Sequence, residues 1–116
     1  MKSERVYLIH ILDCIARIET YTSGGRQVFL HDPMVQDAVL RNLEVIGEAA
    51  NNLPTEFRRV HPEVDWRHAI ELRNVLIHNY MGVNVARVWS DVARTIPQLK
   101  GQIDAIVATL PPEDAT

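Results

Sequence analysis

Only Cys14 is a cysteine, so no internal disulfide can form, and nothing in the sulfur chemistry points to an oxidising compartment. Basic charge is also short. Lys and Arg total 12 against 15 Asp and Glu, a formal net charge of −3. Domains that hold long nucleic acid by electrostatics alone usually carry a basic surplus, so this balance leaves room only for a small local positive site. No apolar run is long enough to span a bilayer. The start, Met1-Lys2-Ser3-Glu4-Arg5 and then an apolar run that stops at Asp13, lacks the uninterrupted core and cleavage site of a signal peptide, so a cytoplasmic location is expected. Strand alternation, internal repeats and low-complexity runs are missing as well.

What is present reads as helix. The 116 residues are 47% hydrophobic and 23% charged, an ordinary globular composition with enough chain for one core. We expect one helical domain over 1–110 and a frayed tail over 111–116. Leu8, Ile11, Leu12, Ile15 and Ile18 recur at three and four, an amphipathic helix over about 3–22. His10 and Cys14, one turn apart, make a weak metal pair without a third ligand. Residues 22–31, with Ser23-Gly24-Gly25, are expected to be a loop. Asp32-Pro33 starts a second helix through Val39, Leu43, Ile46 and Ala50, ended by Asn51-Asn52 and Pro54. Gly47 in its middle costs about 1 kcal/mol against Ala and so marks a close approach by another helix.

A short turn capped by Thr55 precedes Asp65, the cap of a third helix that is expected to be more buried than the first two. Asn84 caps a fourth through Val88 and Val92. Pro97 should break or kink it, with Thr95 and Gln98 forming a capping box for a last helix. The expected fold is all-α, an antiparallel four- to five-helix bundle.

The third helix holds the chemistry. Residues 72–82 read L-R-N-V-L-I-H-N-Y-M-G, placing Arg73, Asn74, His78 and Tyr80 among core-type residues, with Gly82 as the expected left-handed end. Asn74 and His78 share one face with Glu71, whereas Arg73 and His78 stand roughly 140° apart on a straight helix. A site shared by those two needs the arginine to wrap round, a distorted helix, or a second copy of the chain. Arg73 either pairs with an acid, Glu44 or Glu48, or waits for a phosphate. Histidine exchanges protons near neutral pH, and Asn74 is placed to fix the tautomer of His78. Histidine, arginine and an amide are the parts of metal-free RNA cleavage, in which the substrate's own 2′-hydroxyl attacks. Tyr80 on these grounds is a residue at the rim of the core, and the remaining histidines, His10, His31, His61 and His68, show no ligand spacing. No Glu is followed three residues later by His, so a di-metal bundle is dropped and no cofactor is expected.

Arg73, four residues, His78, one residue, Tyr80, with Asn74 directly after the arginine, resembles the signature of the HEPN superfamily. More closely it resembles the HepT-type ribonuclease toxins encoded beside a minimal nucleotidyltransferase antitoxin. The I-G-E-A core within 41–50, the 54–66 connection and R-N-V-L-I-H-N-Y are similar too, so most of the chain is covered. The resemblance implies a HEPN-like homodimer whose two motifs line one cleft. It implies a metal-independent endoribonuclease acting on RNA such as tRNA or mRNA, carried by Arg73 and His78 with Asn74 in support. It further implies a type VII-like toxin–antitoxin module in which the cognate nucleotidyltransferase attaches AMP to Tyr80 and silences the toxin. Two other readings stand beside this one. A non-catalytic helical module binding a nucleotide or nucleotidyltransferase tolerates His78→Ala. A structural bundle with an internal bridge from Arg73 to Glu44 or Glu48 unfolds on Arg73→Ala.

Overall fold

The computed structural model describes residues 3–79 and 82–111, and among these there are helices and connections but no strand. Helix α1 (Glu4–Tyr21) buries Leu8, Ile11, Cys14, Ile15 and Ile18 along one stripe. His10 faces solvent while Cys14 is buried, so the two do not converge on a ligand. The expected loop at 22–31 is only half a loop. Gly25, at φ 89°, turns the chain into α2 (Arg26–His31), a short helix that buries Phe29 completely. Phe29 packs against Trp89, ring centroids 5.5 Å apart. Two aromatics so placed fold a segment whose glycines alone read as a loop.

Helix α3 (Pro33–Asn52) starts as expected, the Asp32 carboxylate accepting from the backbone N–H of Met34 and Val35. It is the most buried helix, enclosing Val39, Leu40, Leu43, Ile46, Gly47 and Ala50 among others. Helix α4 (Thr55–Val60) begins one residue earlier than expected, at the expected cap itself. Thr55 is its first helical residue, and the Thr55 hydroxyl accepts from Arg58 Nη2 instead of capping the backbone.

Helix α5 (Trp66–His78) is capped by Asp65, whose carboxylate accepts from the His68 N–H at 3.0 Å. The expectation that it is the more buried helix fails: only Trp66 and Leu76 are buried, while Val75 and Ile77 are half exposed. The wide apolar face read from sequence extends beyond the neighbours that α5 meets within one chain, which leaves Val75 and Ile77 uncovered. The helix also ends earlier than expected. Asn79, at φ −146°, leaves the helical region, and Gly82 does not adopt positive φ. Asparagine competes with its own backbone for hydrogen bonds and ends helices readily.

The chain then runs through α6 (Val85–Ser90), a π-helical segment (Asp91–Thr95) and α7 (Ile96–Thr109) without interruption. Asn84 caps α6 as expected, accepting from Ala86 and Arg87. Pro97 neither breaks the helix nor needs a capping box, and Thr95 stays helical with no capping bond. The Ile96 N–H reaches back five residues to the Asp91 carbonyl, so the turn widens just before the proline. A wider turn removes the demand for the N–H that proline lacks and makes room for its ring. The 112–116 part of the expected tail lies outside the described residues.

Helix α3 lies between α1 and α5, and α7 packs on α1, with Leu43, Ile46, Ala69, Leu72, Ile96 and Leu99 around one hollow. No helix among the described residues is long and apolar enough to cross a membrane. The contact that sets the α3–α5 distance is at Gly47. A Cβ built there would overlap Arg73 Cβ and stand 2.6 Å from the Ala69 carbonyl oxygen.

Gly47→Ala therefore reverses the usual sign. A mid-helix glycine replaced by alanine ordinarily gains about 1 kcal/mol, but overpacking against the α5 backbone should leave this variant less stable by roughly 2 kcal/mol. Urea denaturation measures the difference, and a variant as stable as the parent would mean that α3 and α5 are not this close. Burial also pushes the Cys14 thiol up from its ordinary range. At pH 8 iodoacetamide should alkylate native Cys14 at least about tenfold more slowly than the denatured chain, read by intact mass; equal rates would mean that the thiol is open to solvent.

Candidate functional site

Arg73 is gripped at its stem. Its Cβ and Cγ lie against Gly47, and the side chain is 26% exposed. From there the guanidinium turns round α5: Nη1 donates to Asn74 Oδ1 at 2.9 Å, and Nη2 stands 3.8 Å from Glu48 Oε2. Nε is buried and has no hydrogen-bond partner. Nε is closed to solvent, but Nη2, with a carboxylate only at the limit of ion pairing, keeps a donor available for an anion.

His78 is exposed at the C-terminal end of α5, one turn beyond Asn74. No hydrogen bond joins Asn74 to His78; Asn74 serves Arg73 instead. The amide was expected to fix the histidine tautomer, but the adjacent guanidinium competes for the same oxygen and is the stronger donor. Helix α5 stays regular through His78, so helix distortion does not bring Arg73 to His78. The arginine itself covers part of the angle by bending onto the Asn74 side.

Of the two candidate acids, Glu48 is 61% exposed and makes the long contact with Arg73, while Glu44 pairs with Arg41 at 3.1 Å. Removing Arg73 thus strands no buried carboxylate, and the premise of the internal-bridge reading fails. Tyr80 lies outside the described residues. No group of three or more His, Cys, Asp or Glu among the described residues could hold a metal ion.

Sequence reasoning missed one polar network. His68 Nε2 lies 2.8 Å from Asp91 Oδ1, which also accepts from the Thr95 hydroxyl at 2.9 Å. It ties α5 to the π-helical segment. Nothing in the spacing could have paired residues 68 and 91, because the widened turn that aims Asp91 at α5 depends on tertiary packing.

An all-helical bundle with arginine, amide and histidine on the open side of one helix defines a class of small domains that keep their polar chemistry on a helix surface. The family model described as "Ribonuclease HepT-like" matches residues 11–106, and the chain belongs to that family. It is 42% identical over 109 residues to a Thermococcus cleftensis protein named "Probable ribonuclease HepT", covering 90% of this chain and 96% of the relative. It is also 42% identical over 108 residues to "Putative RNase TTE0752" of Caldanaerobacter subterraneus subsp. tengcongensis, covering 92% and 96%. No solved structure matches the chain.

Because its carboxylate neighbour is exposed, Arg73 should be dispensable for folding. Arg73→Met, which keeps the buried stem, should stay helical by circular dichroism and shift unfolding by no more than about 1 kcal/mol. Loss of the folded state would restore the internal-bridge reading.

Proposed function

We propose that this chain is a metal-independent endoribonuclease that acts as a homodimer of one helical domain over 1–110. In this reading it is the toxin of a type VII-like toxin–antitoxin module and works in the cytoplasm. The observation that carries the reading is the Arg73 guanidinium, fixed at its stem, incompletely satisfied, and turned toward the side of α5 that ends in His78. Membership of the HepT-like ribonuclease family supports RNA as the substrate.

The RNA 2′-hydroxyl attacks the adjacent phosphorus while His78 accepts its proton. The bond from phosphorus to the 5′-oxygen breaks, and that oxygen takes up a proton as it leaves. Arg73 holds the non-bridging oxygens as negative charge builds on them, with Asn74 orienting the guanidinium. DNA lacks the attacking hydroxyl and is spared. The exposed Val75 and Ile77, next to these residues on α5, favour a second copy docking there, which would bring a second Arg73 and His78 to the same cleft. AMP attached to Tyr80 by a cognate nucleotidyltransferase would place an anionic group two residues from His78 and block both access and charge.

The test compares wild type with His78→Ala on mixed cellular RNA in excess EDTA, with circular dichroism as the folding control. Wild type should cleave, and His78→Ala should lose at least about a hundredfold in rate. A folded wild type that does not cleave, with an intact mass that excludes AMP, would instead favour a binding module without catalysis.

A further inference from the structure

Among the described residues only two buried side-chain polar atoms lack a hydrogen-bond partner, Nε of Arg73 and Nε of Arg58. Arg58 lines a hollow, and Arg73 stands further along α5 from it. An open groove of about 590 Å³ runs between α4 and the first half of α5, lined by Asn51, Thr55, Arg58, Arg59, Arg67 and Ile70. Arg73 follows Ile70 by three residues on α5, a rise of roughly 4.5 Å. Asn51 on α3 likewise lies one turn from Gly47, which contacts Arg73. The groove therefore ends about one helical turn short of Arg73, which does not itself line it.

Its charge sets it apart. Arg58, Arg59 and Arg67 line it against two carboxylates, Asp65 and Glu71. The hollow beneath α7 and the one beside α6 each carry more carboxylates than arginines. In a chain of net charge −3 the groove's own lining thus holds one more arginine than carboxylates. Arg59 and Arg67 are closed by exposed bridges to Glu56 and Glu71 at 2.7 and 2.9 Å. Arg58 is held by one long bond from Nη2 to the Thr55 hydroxyl at 3.4 Å, which leaves it the most available of the three.

We propose that this groove is the track for the RNA backbone entering the site, with Arg58 holding a phosphodiester neighbouring the one at Arg73. The inference rests on the ribonuclease reading for its ligand. An elongated groove open along its length suits a chain passing through. The Nη groups of Arg58, held by one 3.4 Å bond, gain charge-assisted bonds from a phosphate that they meet.

The experiment is fluorescence anisotropy with a labelled single-stranded RNA oligomer in a His78→Ala background, so that binding is read without cleavage. Adding Arg58→Met should weaken binding about tenfold and flatten the slope of log affinity against log salt by about 0.7, one phosphate contact. Arg58→Lys should keep the slope. Unchanged affinity and slope in Arg58→Met, or no binding by the parent, overturns the proposal. So does displacement of the oligomer by equimolar AMP or inorganic phosphate, which would assign the groove to a mononucleotide. Should Arg58→Met fail to fold, crosslinking of 4-thiouridine RNA to the otherwise unaltered background protein decides: crosslinks at 51–59 and 66–71 support the track, and crosslinks confined elsewhere overturn it. Arg58-dependent binding by a protein whose wild type never cleaves keeps the groove and removes the nuclease. Cleavage with an unchanged KM in Arg58→Met does the reverse.

Discussion

The close approach of α3 and α5 at Gly47 is the constraint on which the site depends. Where the other long helices meet through side chains, here the Arg73 stem and the Ala69 carbonyl occupy the space a Cβ would need. That contact lets a long cationic side chain leave the core at a fixed point. The interior grips the methylenes, and the guanidinium emerges with its rotation about α5 already limited. Fixing the stem lowers the entropy lost when the head binds an anion, which is how a binding or catalytic arginine is made ready in advance.

Around that contact the polar groups compete instead of forming a closed network. Asn74 gives its oxygen to Arg73, Glu48 stands at the edge of pairing distance, and the buried Nε finds nothing. Incomplete satisfaction costs stability, and at a surface facing solvent it also leaves capacity for a ligand. The second unsatisfied arginine, Arg58, repeats the pattern one groove away. By contrast His68, Asp91 and Thr95 satisfy one another and serve to join α5 to the π-helical segment.

Helix α5 shows how a sequence can mislead about burial. Its apolar positions span a wide arc, and the reading that it lies deep in the core follows if one chain supplies every neighbour. In the fold, Val75 and Ile77 stay half exposed, although α3 packs tightly against the other side. A broad apolar arc has two physical explanations, burial within the chain or contact with a partner, and periodicity cannot tell them apart. The same limit applies to 22–31: glycines mark where the chain turns, but whether Phe29 has an aromatic to pack against depends on a helix 60 residues later.

Local rules carried much of the architecture. Asp32, Asp65 and Asn84 cap their helices because a side-chain oxygen beside free N–H groups acts over three residues, and Gly47 announced a close approach because a mid-helix glycine is costly. The motif Arg73-Asn74 with His78 was legible in the same way, as residue types at helical spacing. Only the tertiary structure decided which partner Arg73 faces, that Pro97 is absorbed by a widened turn, that α5 ends at His78, and that Arg58 lines a groove between α4 and α5. Each of these turns on atoms brought together from distant parts of the chain, and spacing along the sequence holds no information about such distances.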